Sequence, residues 1–297
     1  MYRGIKKVFL IVLILAAGNL FALDLTFIGG TGNFSFDSSL TAPIGGINDF
    51  KGKFYPLATI TVADQITDTF GYTATAGRDP LLRNTISSEM TIDGGFIKLS
   101  VGPLFSVFNS WSSYIRPGVT TSLGLQFAGY FFINLRGGAT FGSSMENTYA
   151  LETSRIALGF WLPNLVGTIS FTTKKFSEFK TSLIQDELLR ISYRTDIYAK
   201  NSPYTVSIDM GYQALKRSYT GVGEDLMRQV FLGIETNIDI TGKITLIAGA
   251  EIPVFAWGKV PLMRAKKSWY FEAFAGITWK IQKRDQHYSP MEVLEEE

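Results

Sequence analysis

Tyr204-Thr205-Val206-Ser207-Ile208-Asp209-Met210-Gly211-Tyr212-Gln213 is the stretch from which the rest of the chain can be read. Tyr204, Val206, Ile208, Met210 and Tyr212 fall on one side, and Thr205, Ser207, Asp209, Gly211 and Gln213 on the other. Side chains of a strand alternate between its two faces, so the segment is a period-two element with one apolar and one wet face. About ten residues, tilted near 45°, is the length a strand needs to cross a bilayer.

Working outward, the same rhythm recurs near 24–36, 53–63, 68–76, 85–92, 96–107, 117–127, 131–142, 151–161, 165–173, 187–198, 227–239, 243–254 and 268–282. Connections alternate long and short. Residues 37–52, 109–116, 143–150, 174–186, 216–226 and 256–267 read as long loops, whereas Asp93-Gly94-Gly95, Ala128-Gly129-Tyr130, Pro163-Asn164 and Thr241-Gly242 read as tight turns. Gly, Asn, Asp and Pro suit reversals because they tolerate turn dihedrals or cannot continue a ladder. The wet face is rich in small residues, as along Phe132, Asn134, Arg136, Gly138, Thr140 and Gly142. Small side chains fit the concave inside of a closed sheet, and closure removes the edges that a run of hairpins would otherwise expose. The expected fold is all-β: one transmembrane, up-and-down antiparallel barrel of about 14 strands (12–14) over residues 23–283, with both termini on the periplasmic side.

Composition narrows the alternatives. The 297 residues are 46% hydrophobic, 14% aromatic and 18% charged, with a net charge of +2. That charge is too small to suggest a nucleic-acid partner. Past the first 22 residues no run approaches the ~18 apolar residues of a membrane-crossing helix. Residues 1–22 have the layout of a cleavable secretory signal peptide: Arg3, Lys6 and Lys7, then the apolar run 8–17, then Leu20-Phe21-Ala22 as a cleavage region. Cysteine is absent, so there is no lipid-accepting Cys, disulfide, thiolate nucleophile or Cys metal site. The one histidine, His287, stands beyond the last strand, which argues against a His-activated hydrolase in the wall; no enzyme activity, cofactor or metal is expected. Residues 284–297 read as a short acidic periplasmic tail.

Aromatic residues cluster near strand ends: Tyr130, Phe131, Phe132, Trp161 and Trp279 at one end, Tyr212, Trp257, Trp269 and Tyr270 at the other. They are expected to form the two girdles that mark the membrane–water boundaries.

The last strand carries the apolar stripe Trp269, Phe271, Ala273, Ala275, Ile277, Trp279 and Ile281. Gly276, followed at three and five positions by Trp279 and Ile281, resembles the C-terminal assembly signal of bacterial outer-membrane β-barrel proteins. Phe274 stands where that signal usually has a polar residue, and the chain continues past it. In size and strand number the chain is similar to monomeric fourteen-stranded porins, and its leader and general style resemble spirochaetal barrels. The resemblance implies a monomer in the bacterial outer membrane, with outer-membrane lipid, periplasmic chaperones and the barrel-assembly machinery as partners. It also implies a porin-like channel for passive diffusion of small polar or charged solutes. The alternative is a closed barrel with a structural or adhesin role, binding through loops around Asn48, 111–114, 174–180 and 259–267.

Charged residues within the strands keep the polar phase. Lys98, Arg136, Arg155, Arg190, Arg194, Asp209, Glu235, Glu251 and Glu272 alternate with the apolar stripe and are assigned to the pore lining. Against lipid an Arg or Lys would cost about 2–4 kcal/mol at the midplane. The arginines lie on middle strands and the acids on late strands, so one arc of the lumen should be positive and its neighbour negative. The resulting transverse field would orient dipolar solutes and admit small ions and zwitterions. The competing arrangement is pairing of the same groups across a filled lumen. Asp186-Glu187 and Glu224-Asp225 read as solvated charge in long outer loops.

Overall fold

The computed structural model describes residues 23–33, 55–79, 83–108, 114–127, 129–141, 151–178, 184–198, 202–219, 221–259 and 270–281. The proposed signal peptide, the C-terminal tail with His287, Trp269 and the loop residues Asn48 and Trp111 lie outside the described residues. The strands are β1 (Leu23–Gly32), β2 (Tyr55–Gln65), β3 (Phe70–Asp79), β4 (Arg83–Asp93), β5 (Ile97–Phe108), β6 (Tyr114–Phe127) and β7 (Phe131–Thr140). They continue with β8 (Leu151–Leu162), β9 (Leu165–Glu178), β10 (Ile184–Tyr198), β11 (Tyr204–Tyr219), β12 (Gly223–Thr241), β13 (Ile244–Lys259) and β14 (Glu272–Lys280). Each pairs antiparallel with its sequence neighbours, and β14 returns to β1, closing the barrel. Every ladder but the closing one is therefore local in sequence, as expected where successive strands are joined by hairpins. Gly95 and Gly129 take positive φ (82° and 73°) in the β4–β5 and β6–β7 turns, the conformation for which glycine carries no steric penalty.

The outward face can be followed row by row around the wall. Ile156, Phe171, Ile191, Tyr212 and Val230 are successive partners in register on β8 to β12. Leu158, Ile169, Tyr193, Met210 and Leu232 form the next such row, and Leu162, Leu165, Ile197 and Val206 a further one toward the short turns. Many of these large apolar side chains are exposed. A continuous apolar band on the convex side is what lipid tails would cover. Toward the long-loop end the band stops: first Ser154 and Thr173 bond to each other, then Glu152, Lys175, Glu187 and Lys216 come into register with alternating charge. Opposite charges directly across a ladder attract, and this row belongs in water.

The wall nevertheless continues past that row. β9 to β13 run for 14 to 19 residues, more than the ~9–11 that a bilayer crossing needs. Residues 174–178 and 184–186, expected in a long loop, are strand, and so are 216–219 and 223–226. The period-two pattern there weakens only because the outward positions turn polar where they leave lipid. The sheet continues because both of its faces are still satisfied.

Two groups of aromatics also differ from expectation. Tyr130, Phe131 and Trp279 are exposed on the outside, and Tyr212 packs with Trp257 on the outer face at 5.9 Å between ring centroids. Phe132 and Trp161 instead share the inward phase, 4.5 Å apart, and Phe132 lies over Gly159. Tyr270 is buried inside. Nearness to a turn or loop suggested a girdle, but strand phase places Phe132 and Trp161 in the lumen, and Tyr270 is held inside by Gln229 just before β14.

The outward assignment predicts that Ile169→Arg, near the middle of the band, destabilises the folded protein in lipid vesicles by about 2–4 kcal/mol. Thr168→Arg, one residue away and facing inward, should cost far less. Urea titrations of the two variants compare them, and equal stabilities would contradict the assigned phase.

Candidate functional site: the charged lumen

Along β8 to β13 the inner wall is layered. Nearest the long-loop end, Leu151, Phe176, Asp186, Arg217 and Asp225 are successive register partners. The next inward layer contains Leu188, Leu215 and Met227. Below it come Arg136, Arg155, Thr172, Arg190, Gln213 and Gln229. Then follow the small hydroxyls Ser170 and Ser192, bonded to each other at 3.1 Å, beside Phe231. A second charged layer holds Arg194, Asp209, Gly233, Glu251 and Glu272. A strand shows one face to the lumen every second residue, so each layer follows from period-two alternation and the register.

Ion pairs cross the interior between strands that are not neighbours. Arg190, on β10, bonds Asp209 on β11 (2.6 Å) and Glu251 on β13 (2.7 Å), and its guanidinium lies 3.9 Å from the ring centroid of Phe231. Arg194 bonds Asp196 (2.7 Å), Ser207 (2.8 Å) and Glu235 on β12 (3.2 Å). Arg136 on β7 pairs with Glu89 on β4, where Thr120 also donates to the carboxylate. Side chains three strands apart in a closed wall can meet only along a chord through the inside. Lys98 pairs with Asp93 across the β4–β5 hairpin (3.4 Å). Glu272 accepts a hydrogen bond from the Tyr270 hydroxyl and stands directly opposite Glu251.

The nine side chains assigned from the sequence thus all face inward, but not as two separate arcs of opposite sign. The acids of the late strands reach the arginines of β10, because β10 to β13 curve toward one another and a guanidinium can join two carboxylates. Arg155 is left apart: it has Arg136 directly opposite in register and forms no hydrogen bond or ion pair among the described residues. Sequence reasoning passed over Glu89 and Asp196, although each keeps the phase of its polar neighbours Thr91 and Arg194. It also placed Asp186 and Asp225 in solvated loops. Both are buried and inward on β10 and β12, with Arg217 bonding Asp186 at 2.6 and 2.8 Å; only Glu187 and Glu224 face out, and Glu224 pairs with Lys216 at 3.0 Å. No His/Cys/Asp/Glu group among the described residues is arranged to hold a metal ion.

Between these layers lies a cavity of about 420 Å³. Seven of the nine assigned residues line it, all except Lys98 and Arg136, together with Ser170, Thr172, Ser192 and Ser207. Tyr270 closes one side. The Gln229 amide bonds both its backbone N–H (2.7 Å) and its carbonyl (3.0 Å), standing in for a ladder partner where the chain enters β14.

A closed fourteen-strand antiparallel barrel, apolar outside and charged within, defines the fold class: the chain has the fold of bacterial outer-membrane β-barrel proteins. Its fold is similar to that of a Pseudomonas aeruginosa FadL homologue, with a TM-score of 0.55, 10% identity, 88% of this chain covered and 90% of that one. Further matches are the COG4313 outer membrane channel from Pseudomonas putida F1 (TM-score 0.42, 9% identity, 89% and 97% covered) and a porin (0.38, 8%, 87% and 99%). No protein-family model matches the chain, and a search of curated proteins finds no match.

Proposed function

We propose that this protein is a monomeric outer-membrane channel for passive diffusion of small polar or charged solutes. The observation that carries this reading is the lumenal cavity of about 420 Å³, walled by guanidinium, carboxylate and hydroxyl groups. The polar groups of that lining exchange hydrogen bonds with water and polar solutes. Roughly fourteen strands also make a wider ring than inward side chains readily fill. In this reading the leader directs export and is removed, chaperones and the barrel-assembly machinery insert the chain, and both termini stay in the periplasm. No catalytic step or cofactor is assigned.

A second reading, a closed barrel with a structural or adhesin role, draws on the ion pairs that cross the lumen and on the buried side chains of Phe176, Leu215 and Met227 at its long-loop end. Liposome swelling separates the two. Proteoliposomes holding the folded protein should swell in isosmotic solutions of small sugars or amino acids. Absence of swelling, with the protein folded and inserted, would favour the closed barrel.

A further inference from the structure

Acids outnumber cations among the lumenal residues named above, but in the ion pairs exposure runs the other way. In the pair formed by Arg136 and Glu89 the arginine side chain is 56% exposed and the glutamate 9%. Arg190 is 23% exposed against 7% for Glu251, and Arg194 35% against 19% for Asp196. The same order holds for Lys98 with Asp93 and, narrowly, for Arg190 with Asp209. In these pairs the carboxylate sits at the wall beneath the cation that covers it. A short acid reaches little beyond its own strand, whereas an arginine reaches over it into the water.

Arg155 adds to this. It is exposed, lines the cavity and forms no close ion pair among the described residues; the charge of Asp209 acts on it, opposed by Arg136, Arg190 and Arg194. Thr172 is its register partner, and the Ser170 and Ser192 hydroxyls share the cavity. A guanidinium fork flanked by hydroxyls suits the planar or tetrahedral oxygens of a carboxylate, phosphate or sulfonate.

We infer that the lumen presents a cationic surface to solutes and that Arg155 is the seat of a subsite for small oxyanions. This deepens the channel reading by naming the solute class, and it rests on that reading only for transport, not for binding. Of the carboxylates counted in the sequence, Asp209, Glu235 and Glu251 are each paired with a more exposed arginine, and such a pair is largely cancelled.

The absence of cysteine makes a direct test available. Thr172→Cys places a unique thiol beside Arg155. The folded protein in detergent is treated with two methanethiosulfonates that share a reactive group, one bearing a sulfonate and the other a trimethylammonium. After correction for their rates with a free thiol, the sulfonate reagent should react faster by on the order of tenfold. Arg155→Gln in the same background should remove most of that preference while the heat-modifiable, folded band is retained. Equal rates, a faster trimethylammonium reagent, no reaction with either, or a preference that survives Arg155→Gln would overturn the inference. Swelling of proteoliposomes is read separately. Preference without swelling leaves an anion pocket that is not a channel, and swelling without preference leaves a channel that does not favour anions.

Discussion

Gly276→Val should leave the chain unable to close into a barrel. Gly276 faces inward on β14 opposite Ile28 of β1, in the one ladder that joins the two ends of the wall. A Cβ at this position would meet the Phe27 carbonyl oxygen closer than van der Waals contact permits, with Ile28 almost as near. Both obstacles include backbone, so no rotamer change relieves them. Gly30, on the facing strand, is similarly confined against Ala273 and Phe274. The seam is therefore a close approach of two backbones that only glycine admits. Either the β1–β14 ladder opens or the strands part, and an open barrel exposes unpaired edges in lipid at several kcal/mol for each unsatisfied group. The expected result is loss of the heat-modifiable band from isolated outer membranes. Ile252→Ala should retain that band, because Ile252 is about half exposed on the outside, paired with Leu232 and away from the seam. A folded Gly276→Val barrel would show that the seam tolerates bulk.

The second large effect is expected at Arg217. Asp186, Arg217 and Asp225 are consecutive register partners on β10, β11 and β12, and all three are buried. Arg217 grips Asp186 through two hydrogen bonds, with side chains 4% and 2% exposed. Arg217→Met keeps the volume and removes the cation that stands between two buried carboxylates, which should cost about 3–5 kcal/mol. Combining it with Asp186→Asn and Asp225→Asn removes the uncompensated charge and should recover much of that loss. Urea midpoints in lipid vesicles measure both, and the conclusion depends on the difference between them. If the single and triple variants unfold alike, the three residues are not electrostatically coupled.

Much of this architecture was readable in the chain. The alternation at 204–213 is reproduced in β11, with Tyr204, Met210 and their phase outside and Ser207, Asp209 and Gln213 inside. The fourteen strands fall close to their expected positions because period-two alternation is a local property. Where the reading failed, it failed at the long-loop end. Around Asp186 and Asp225 the outer phase is no longer apolar, a local pattern that reads as loop, yet the sheet continues there with water outside and a small buried layer within. Phe132, Trp161 and Tyr270 were sorted by nearness to a turn or loop, and strand phase or the Gln229 contact decided otherwise.

The sequence by itself determined that the wall is a sheet, which face of each strand is greasy, and that lumenal charge follows the polar phase, because alternation and the cost of charge against lipid act residue by residue. Only the closed structure decided which charges meet. Arg190 finds Glu251, Arg136 finds Glu89 and Arg155 finds neither, because pairing across a ring depends on curvature and register between strands tens of residues apart. The sign that the lumen shows to a solute is set there, by which member of each pair reaches out over the other.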